Sequence, residues 1–302
     1  MPGPIQVWPR THVAVAAGCA AMVCVGGSVA VSRTLIAAPL FTAQAIRYGV
    51  ATLALLVLAA STRSRLPAPR GRDWLWLVGI SVTGLVLFNV AIVRGVAHAE
   101  PAVLAVAVAS VPVLLAVVGP LAVGQRPLRR LVTAAIGVTA GSALVIGTGR
   151  TDAAGIAWAV LAFACEGAFT LLAVPVLPRL GPWAVSVHSI WIASLILTIL
   201  ALLTEGPDAV LRLSGADWLA IAYLAVMVTA VAFVLWYSAV CRLGSGRAGL
   251  LTGIAPVSAA VVGMLSGAGL PRVTGWLGIL IIAAAQMTGL SGSASPGETI
   301  SG

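Results

Sequence analysis

The chain has 302 residues, 60% of them hydrophobic and only 8% charged, with a mean hydropathy of +1.10. A soluble domain carries about 25% charged residues, so this one cannot clothe its surface in charge; a bilayer is the solvent that does not require it. The net charge of +9 does not indicate nucleic acid, because all 17 basic residues are Arg and they stand in short segments between apolar runs, where they set topology.

A span needs ~20 mostly apolar residues. Ten such stretches follow one another: 13–31, 40–60, 74–97, 101–123, 131–149, 155–175, 183–204, 217–238, 248–267 and 274–291. The first, preceded by Arg10, has the outline of a signal peptide, but nine more runs follow and it is read as an uncleaved span. The second opens after Pro39 and carries Arg47 about 10 Å from its start, at 1.5 Å per residue. Arg47 is placed either to snorkel to the interface or to hold a substrate carboxylate inside the bundle.

The third span opens on "DWLWLVGI" and carries Asn89, a mid-span amide that needs a partner or a cavity. At its far end a spacing of four turns Arg94 toward His98, beside Glu100. Gly26-Gly27, Gly137/Gly141 and Gly263/Gly267 have the spacing of close helix contacts. The sixth span holds Glu166, the one acid near mid-membrane. Such a group is costly unless it faces a cavity or a partner, which makes Glu166 a candidate proton carrier or ligand for a cationic substrate; the alternative is a structural, hydrogen-bonded acid.

In the seventh span His188 either relays protons or is a packing histidine, and Trp191 follows one residue short of a full turn on. The eighth opens on "DWLAIAYL" and closes on Trp236 and Tyr237, which serve as belt anchors or as cavity walls. Gln286 in the tenth is a weaker candidate. Residues 292–302 are small and polar and are expected to be disordered. The four cysteines, Cys19, Cys24, Cys165 and Cys241, lie in or beside apolar runs with no metal or redox spacing, and are read as buried apolar side chains. No cofactor is expected.

Arginine placement orients the chain. With the N-terminus in the cytoplasm, inner segments hold Arg10, Arg63, Arg65, Arg70, Arg72, Arg126, Arg129, Arg130, Arg179, Arg242 and Arg247, and outer loops hold only Arg33, Arg150, Arg212 and Arg272. N-in, C-in in a plasma or inner membrane is therefore expected. Trp74, Trp158, Trp183, Trp218 and Trp276 stand at span ends, as interfacial anchors should.

The chain also repeats. At an offset of 144, residues 73–127 align with 217–271, and 14 of the 55 positions are identical, among them Asp73-Trp74-Leu75 with Asp217-Trp218-Leu219, Pro112 with Pro256 and Pro127 with Pro271. Five spans per half is an odd number, so the second half must enter the membrane from the other side. The loops agree: "STRSRLPAPRGRD" has four Arg and one acid, whereas "EGPDAVLRLSGAD" has three acids and one Arg. The expected fold is an all-α integral membrane protein of ten transmembrane helices in two five-helix inverted repeats, 13–149 and 155–291. Inverted repeats are an arrangement of secondary transporters, with the substrate site near the midplane between the halves.

Several stretches carry a family resemblance: Pro39 followed by "AIRYGVATLAL" with Arg47, "SVPVLLAVVGPLAVGQRP", "AAIGVTAGSALVIG", and in the second half "ADWLAIAYLAVMVTAVAFVLWYSAVCRLGSGRAGLLTGIAPVSAAVVG" and "GWLGILIIAAAQMTGL". On these the chain resembles EamA-type members of the drug/metabolite transporter superfamily over about residues 13–291. The family often has a Gly-Glu after the fourth span of each half; here those positions read Gly124-Gln125 and Ala268-Gly269, so no role of that Glu carries over. The resemblance implies a ten-helix exporter of amino acids, metabolites or toxic small molecules, often driven by an ion gradient.

The expected function is therefore secondary active transport, as an exporter, by alternating access. Glu166, Arg47, Asn89, His188, Trp191, Tyr237 and Trp236 are the candidate substrate-binding residues. The expected partners are a small-molecule substrate, the proton gradient or membrane potential, the bilayer and, left open, a second copy of the chain. ATP is not the direct driver, since no Walker motif is present. An intramembrane enzyme acting on a lipid-linked substrate lacks GxSxG, HExxH and enough ionisable residues for a site. A non-transporting scaffold lacks any soluble domain that would signal.

Overall fold

The computed structural model describes residues 11–267 and 269–291; the expected disordered tail lies outside the described residues. All elements among them are helical, apart from one isolated antiparallel bridge between Ala99 and Thr151. The first, α1 (Thr11–Gly27), is apolar but only 17 residues long. Eight helical runs are long and apolar enough to cross a bilayer. They are α2 (Leu40–Ser61), α3 (Asp73–Gly95), α4 (Pro101–Ala122), α5 (Arg129–Ile146), α6 (Ala153–Leu171), α7 (Leu177–Thr204), the run Gly215–Leu265 and a final helix Val273–Leu290.

Three of the ten expected spans thus differ. The first is shorter than 13–31, and 217–238 and 248–267 belong to one run of 51 residues. That run is broken at Gly244 (φ 74°, ψ 158°), a conformation open to a residue without Cβ. Its limbs are called α8 (215–243) and α9 (245–265), and the final helix α10. In α7 a similar break at Gly181 (φ 73°, ψ 168°) precedes Pro182, whose fixed φ and missing N–H suit the first turn of a new helix.

Both Asp-Trp-Leu triplets are helix starts. The Asp73 carboxylate accepts from the Arg70 N–H (2.7 Å), and that of Asp217 from the Ser214 N–H (2.8 Å), in a capping box completed by the Ser214 hydroxyl. Their acids sit in the first turn, where the helix dipole favours negative charge. Further along, each helix widens into a π-helical stretch, Ser81–Leu87 in α3 and Leu224–Val231 in α8. Adding 144 to the first gives 225–231. Shortly before Pro112 and Pro256, α4 and α9 also depart from regular helix, at Ser110 and at the 3-10 turn Leu251–Gly253. A proline supplies no N–H to the turn before it, so both sites are weak points.

Small residues bring the helices together. The Gly278 carbonyl on α10 occupies the space a Cβ on Gly141 of α5 would fill, and the Gly141 carbonyl does the same at Gly278; Gly137 meets Ala285. Gly26 of α1 meets the Ala255 backbone on α9. The expected contacts at Gly26 and Gly137/Gly141 are therefore real. Gly267, expected to be another, instead sits in a turn at φ +85° with open space around it. The main core gathers Leu55, Leu77, Ile80, Leu115, Ile190, Leu197 and Tyr237. Leu53, Val57, Leu75, Leu203 and Leu280 point outward, a surface that only lipid tolerates. Trp74, Trp218 and Trp276 are exposed at helix ends as expected, but Trp158 packs with Ala99 and Leu104, and Trp183 leans on the core.

Polar ties fasten the two ends of the bundle. At the arginine-poor end the Glu205 carboxylate, just after α7, accepts from the Phe41 N–H (2.9 Å), the Thr42 N–H (2.8 Å) and the Thr42 hydroxyl (2.7 Å). It thereby caps α2, whose Pro39 has no capping side chain. Between the α3–α4 and α5–α6 connections His98 pairs with Asp152 (3.1 Å) and Arg150 with Glu100 (2.9 Å). The partner of His98 is thus Asp152, a strand-like pairing of two loops, and not the expected Arg94. The Gly155 N–H and then His98 hold the Asp152 carboxyl below its ordinary range, and the Arg150 hydrogen bond does the same for Glu100. At the arginine-rich end Arg179 forms an ion pair with Asp73 and donates to the Ala68 carbonyl (3.4 Å).

Gly141→Val tests the packing. A branched side chain driven into the Gly278 carbonyl should cost about 1–3 kcal/mol, read as a lower Tm of the detergent-purified protein; an unchanged Tm would mean that α5 and α10 do not meet there.

Candidate functional site

Four helices converge around Glu166. The helix that carries it, α6, is held close on three sides. Gly84, in the π-helical stretch of α3, lies against Phe169, and Gly167 of α6 lies against Leu114 of α4. From α8, the Tyr237 hydroxyl donates to the Phe169 carbonyl (3.2 Å) and the Trp236 indole to the Thr170 hydroxyl (3.1 Å). Tyr237 is wholly buried and packs against Phe169 and Phe233.

The Glu166 carboxyl is half-buried and makes no hydrogen bond or ion pair with another described residue. It lies within electrostatic reach of the Tyr48 and Tyr237 hydroxyls. Tyr48, buried on α2, accepts from the Asn89 amide of α3 (2.9 Å), and Asn89 also donates to the Leu85 carbonyl. Next to Tyr48, the Arg47 Nε donates to the Thr229 hydroxyl of α8 (2.9 Å), and its guanidinium stands 5.4 Å from the Tyr48 ring centre. Thr229 in turn donates to the Leu224 carbonyl five residues back (3.0 Å), a bond the wide π turn permits.

The structure therefore brings together Glu166, Arg47, Asn89, Trp236 and Tyr237 of the expected residues. Arg47 turns inward to Thr229 and does not snorkel. Arg47 and Glu166 are not ion-paired with each other among the described residues. His188 and Trp191 stand elsewhere: the Trp191 indole donates to His188 Nδ1 (3.0 Å), and both rings meet Trp74 edge-on. An Nδ1 that accepts from an N–H belongs to a neutral imidazole. Gln286 donates to the Leu250 carbonyl (2.8 Å) and ties α10 to the run before it. Sequence reasoning missed Tyr48 and Thr229. Tyr48 follows Arg47 directly and could have been marked; Thr229 sits in an apolar run, and no pattern announces the π turn that presents it.

A cleft of about 520 Å3 opens at the arginine-rich end and reaches Ser238, the neighbour of Tyr237. Of the cysteines, Cys165 is buried and Cys19 and Cys24 are half-buried, but Cys241 is exposed and lines this cleft, contrary to the buried reading.

A bundle of apolar helices with a polar cluster in its interior and a cleft at one end is the architecture of a multi-pass membrane protein. The profile of the EamA-like transporter family matches the chain twice, over residues 12–147 and 153–288. The chain belongs to that family, and through it to the drug/metabolite transporter superfamily. An uncharacterized transporter of Bacillus subtilis strain 168, YetK, is 27% identical over 253 residues, covering 80% of this chain and 76% of its own. A Streptantibioticus cattleyicolor protein named "Probable terminal-alkyne amino-acid exporter" is 25% identical over 199 residues, covering 65% of this chain and 66% of its own. One solved crystal structure superposes with a TM-score of 0.76 over 91% of this chain and 96% of its own, at 18% identity, which speaks to the fold alone.

Thr229→Val should leave the Arg47 Nε unpaired inside the bundle and cost about 1–3 kcal/mol, whereas Thr229→Ser should keep the bond and the stability. Thermal unfolding of both variants decides this; equal Tm values would show that the Arg47–Thr229 bond carries no weight.

Proposed function

We propose that the protein is a proton-coupled exporter of small zwitterionic solutes, working by alternating access between two inverted five-helix halves. The observation that carries this is the Glu166 carboxyl, set within the bundle and bound to no other described residue. A structural acid would be tied into a hydrogen bond in such a place. One without a tie is available to a proton or to a substrate ammonium group.

Arg47 supplies the opposite charge. It is held by Thr229, with guanidinium donors left for a carboxylate. Tyr48 is within electrostatic reach of both charges, and Asn89 donates to its hydroxyl. A solute bearing an ammonium and a carboxylate would meet Glu166 at one end and Arg47 at the other, with Trp236 and Tyr237 as walls. The relative named as an amino-acid exporter supports this substrate class.

Support for ten crossings comes from α1, the other seven apolar runs and the two limbs on either side of Gly244. Support for the inverted halves comes from the matched π stretches, the matched weak points near Pro112 and Pro256, and the opposite charge of the two Asp-Trp-Leu loops. Residues 13–149 and 155–291 are then the two halves, with both termini cytoplasmic and the arginine-rich end facing the cytosol of a cell that carries the protein in its plasma or inner membrane. Moving one charge through 100 mV releases about 2.3 kcal/mol, enough for roughly fiftyfold accumulation.

Cells expressing wild type or Glu166→Gln should differ in the amino-acid-like solutes released to the medium. For the solute so identified, efflux by wild type should rise and fall with external pH, and efflux by Glu166→Gln should be slow and flat. A mutant with the wild-type pH profile would overturn the coupling role.

A further inference from the structure

Two neighbouring helices begin and end alike. α2 follows Pro39 and ends at Thr62, and the limb of α7 that restarts at Pro182 ends at Glu205. Each end residue stands 23 places after its proline, so one helix maps on the other at an offset of 143. The two pack side by side, with the Ser194 hydroxyl of α7 donating to the Ala45 carbonyl of α2 (3.0 Å). They run in opposite directions, so the end of each lies beside the start of the other.

These two meetings differ. At the arginine-poor end the Glu205 carboxylate is closed on the first turn of α2, accepting from the N–H groups of Phe41 and Thr42 and from the Thr42 hydroxyl. At the arginine-rich end the equivalent contact would bring Thr62 to the first turn after Pro182, and a cleft of about 520 Å3 lies there instead. Thr62 and Ser64 line one side of it, Gly181, Pro182 and Trp183 another. The Thr62 hydroxyl is turned back to the Leu58 carbonyl (2.7 Å). A carboxylate accepts several hydrogen bonds and suits the positive end of a helix dipole, whereas a hydroxyl brings no charge. Only one of the two equivalent positions carries the acid, and it is the one that is closed.

We propose that Glu205 is a conformational latch. Its carboxylate on the first turn of α2 keeps the arginine-poor end shut while the cleft at the other end is open. Its release lets α2 and α7 rock until Thr62 meets the first turn after Pro182 and the cleft closes. The inference rests on the inverted halves and alternating access proposed above, but it is read without a transported solute, so a wrong substrate class leaves it untouched.

Ala43 is buried behind the latch against Leu213 and Ile221, and Ala43→Cys makes it a reporter of that end. Cys241, exposed on the cleft wall, reports on the other. In lipid nanodiscs, where both faces meet the reagent, peptide mass spectrometry follows the reaction of both thiols with iodoacetamide in the same full-length molecules. The ratio of the two rates, position 43 over Cys241, then follows the equilibrium between the two states. Glu205→Gln replaces a charged acceptor with a neutral one and should raise the ratio about tenfold. Thr62→Glu, at an exposed position, supplies the missing carboxylate at the far end and should also speed the reaction at position 43, by about threefold or more. That second effect crosses the bundle, so a lost helix cap alone does not produce it. An unchanged ratio with Glu205→Gln would overturn the latch. A rise with Glu205→Gln but no response of position 43 to Thr62→Glu would reduce Glu205 to a local cap and overturn the coupling of the two ends. The inverted halves are tested apart from this, by the membrane side from which positions 66 and 210 react.

Discussion

The hydrocarbon core of a bilayer offers no hydrogen-bond partner, so every polar group inside it must find one in the protein. That constraint orders this molecule. Arg47 finds Thr229, Asn89 finds Tyr48, Tyr237 and Trp236 find α6, Ser81 finds the Ser189 carbonyl, and Gln286 finds Leu250. Each bond also joins two helices, so the polar groups fix which helices are neighbours while apolar side chains fill the space. Against this background Glu166 stands out, since it has the greatest need of a partner and no bond to one among the described residues. A group left open in such a place is expensive to keep, which is the ground for proposing that its partner arrives from outside the protein.

The backbone follows the same economy of partners. A π turn widens the helix and shifts which hydroxyls and carbonyls face a neighbour. In α8 it lets Thr229 bond its own backbone while accepting from Arg47. In α3 it accompanies the close approach of Gly84 to Phe169. The two π stretches thus place α2 on α8 and α3 on α6 at the level of the polar cluster. The ties at the ends join residues far apart in sequence, with Glu205 bonded to α2 at one end and Asp73 to Arg179 at the other. Alternating access requires that such ties form and break in turn, one face at a time.

Much of this was legible in the sequence because a bilayer imposes long apolar runs. The spans could be counted, and Glu166 could be singled out by position alone. The Asp-Trp-Leu triplets could be paired by offset, and their role as helix starts follows from where an acid belongs in a first turn. What could not be read were matters of rotation and register. Hydropathy does not tell which way Arg47 turns, that His188 and Trp191 look toward Trp74 and away from Glu166, or that Tyr48 completes the cluster. A run of uniform apolar residues hides Thr229 and hides a π turn. The break at Gly244 rests on one glycine in a stretch that remains apolar on both sides, so two spans could be counted without seeing that helix continues almost unbroken between them.

The account depends on the two halves lying upside down to one another, and labelling tests that most directly. Leu66, before α3, and Val210, before α8, stand at equivalent places in the halves and are both solvent-accessible. In a cysteine-free background, Leu66→Cys and Val210→Cys are treated in intact cells with a membrane-impermeant maleimide, before and after permeabilisation. The inverted arrangement predicts that Val210→Cys reacts in intact cells and Leu66→Cys only after permeabilisation. Reaction of both positions from the same side would contradict it.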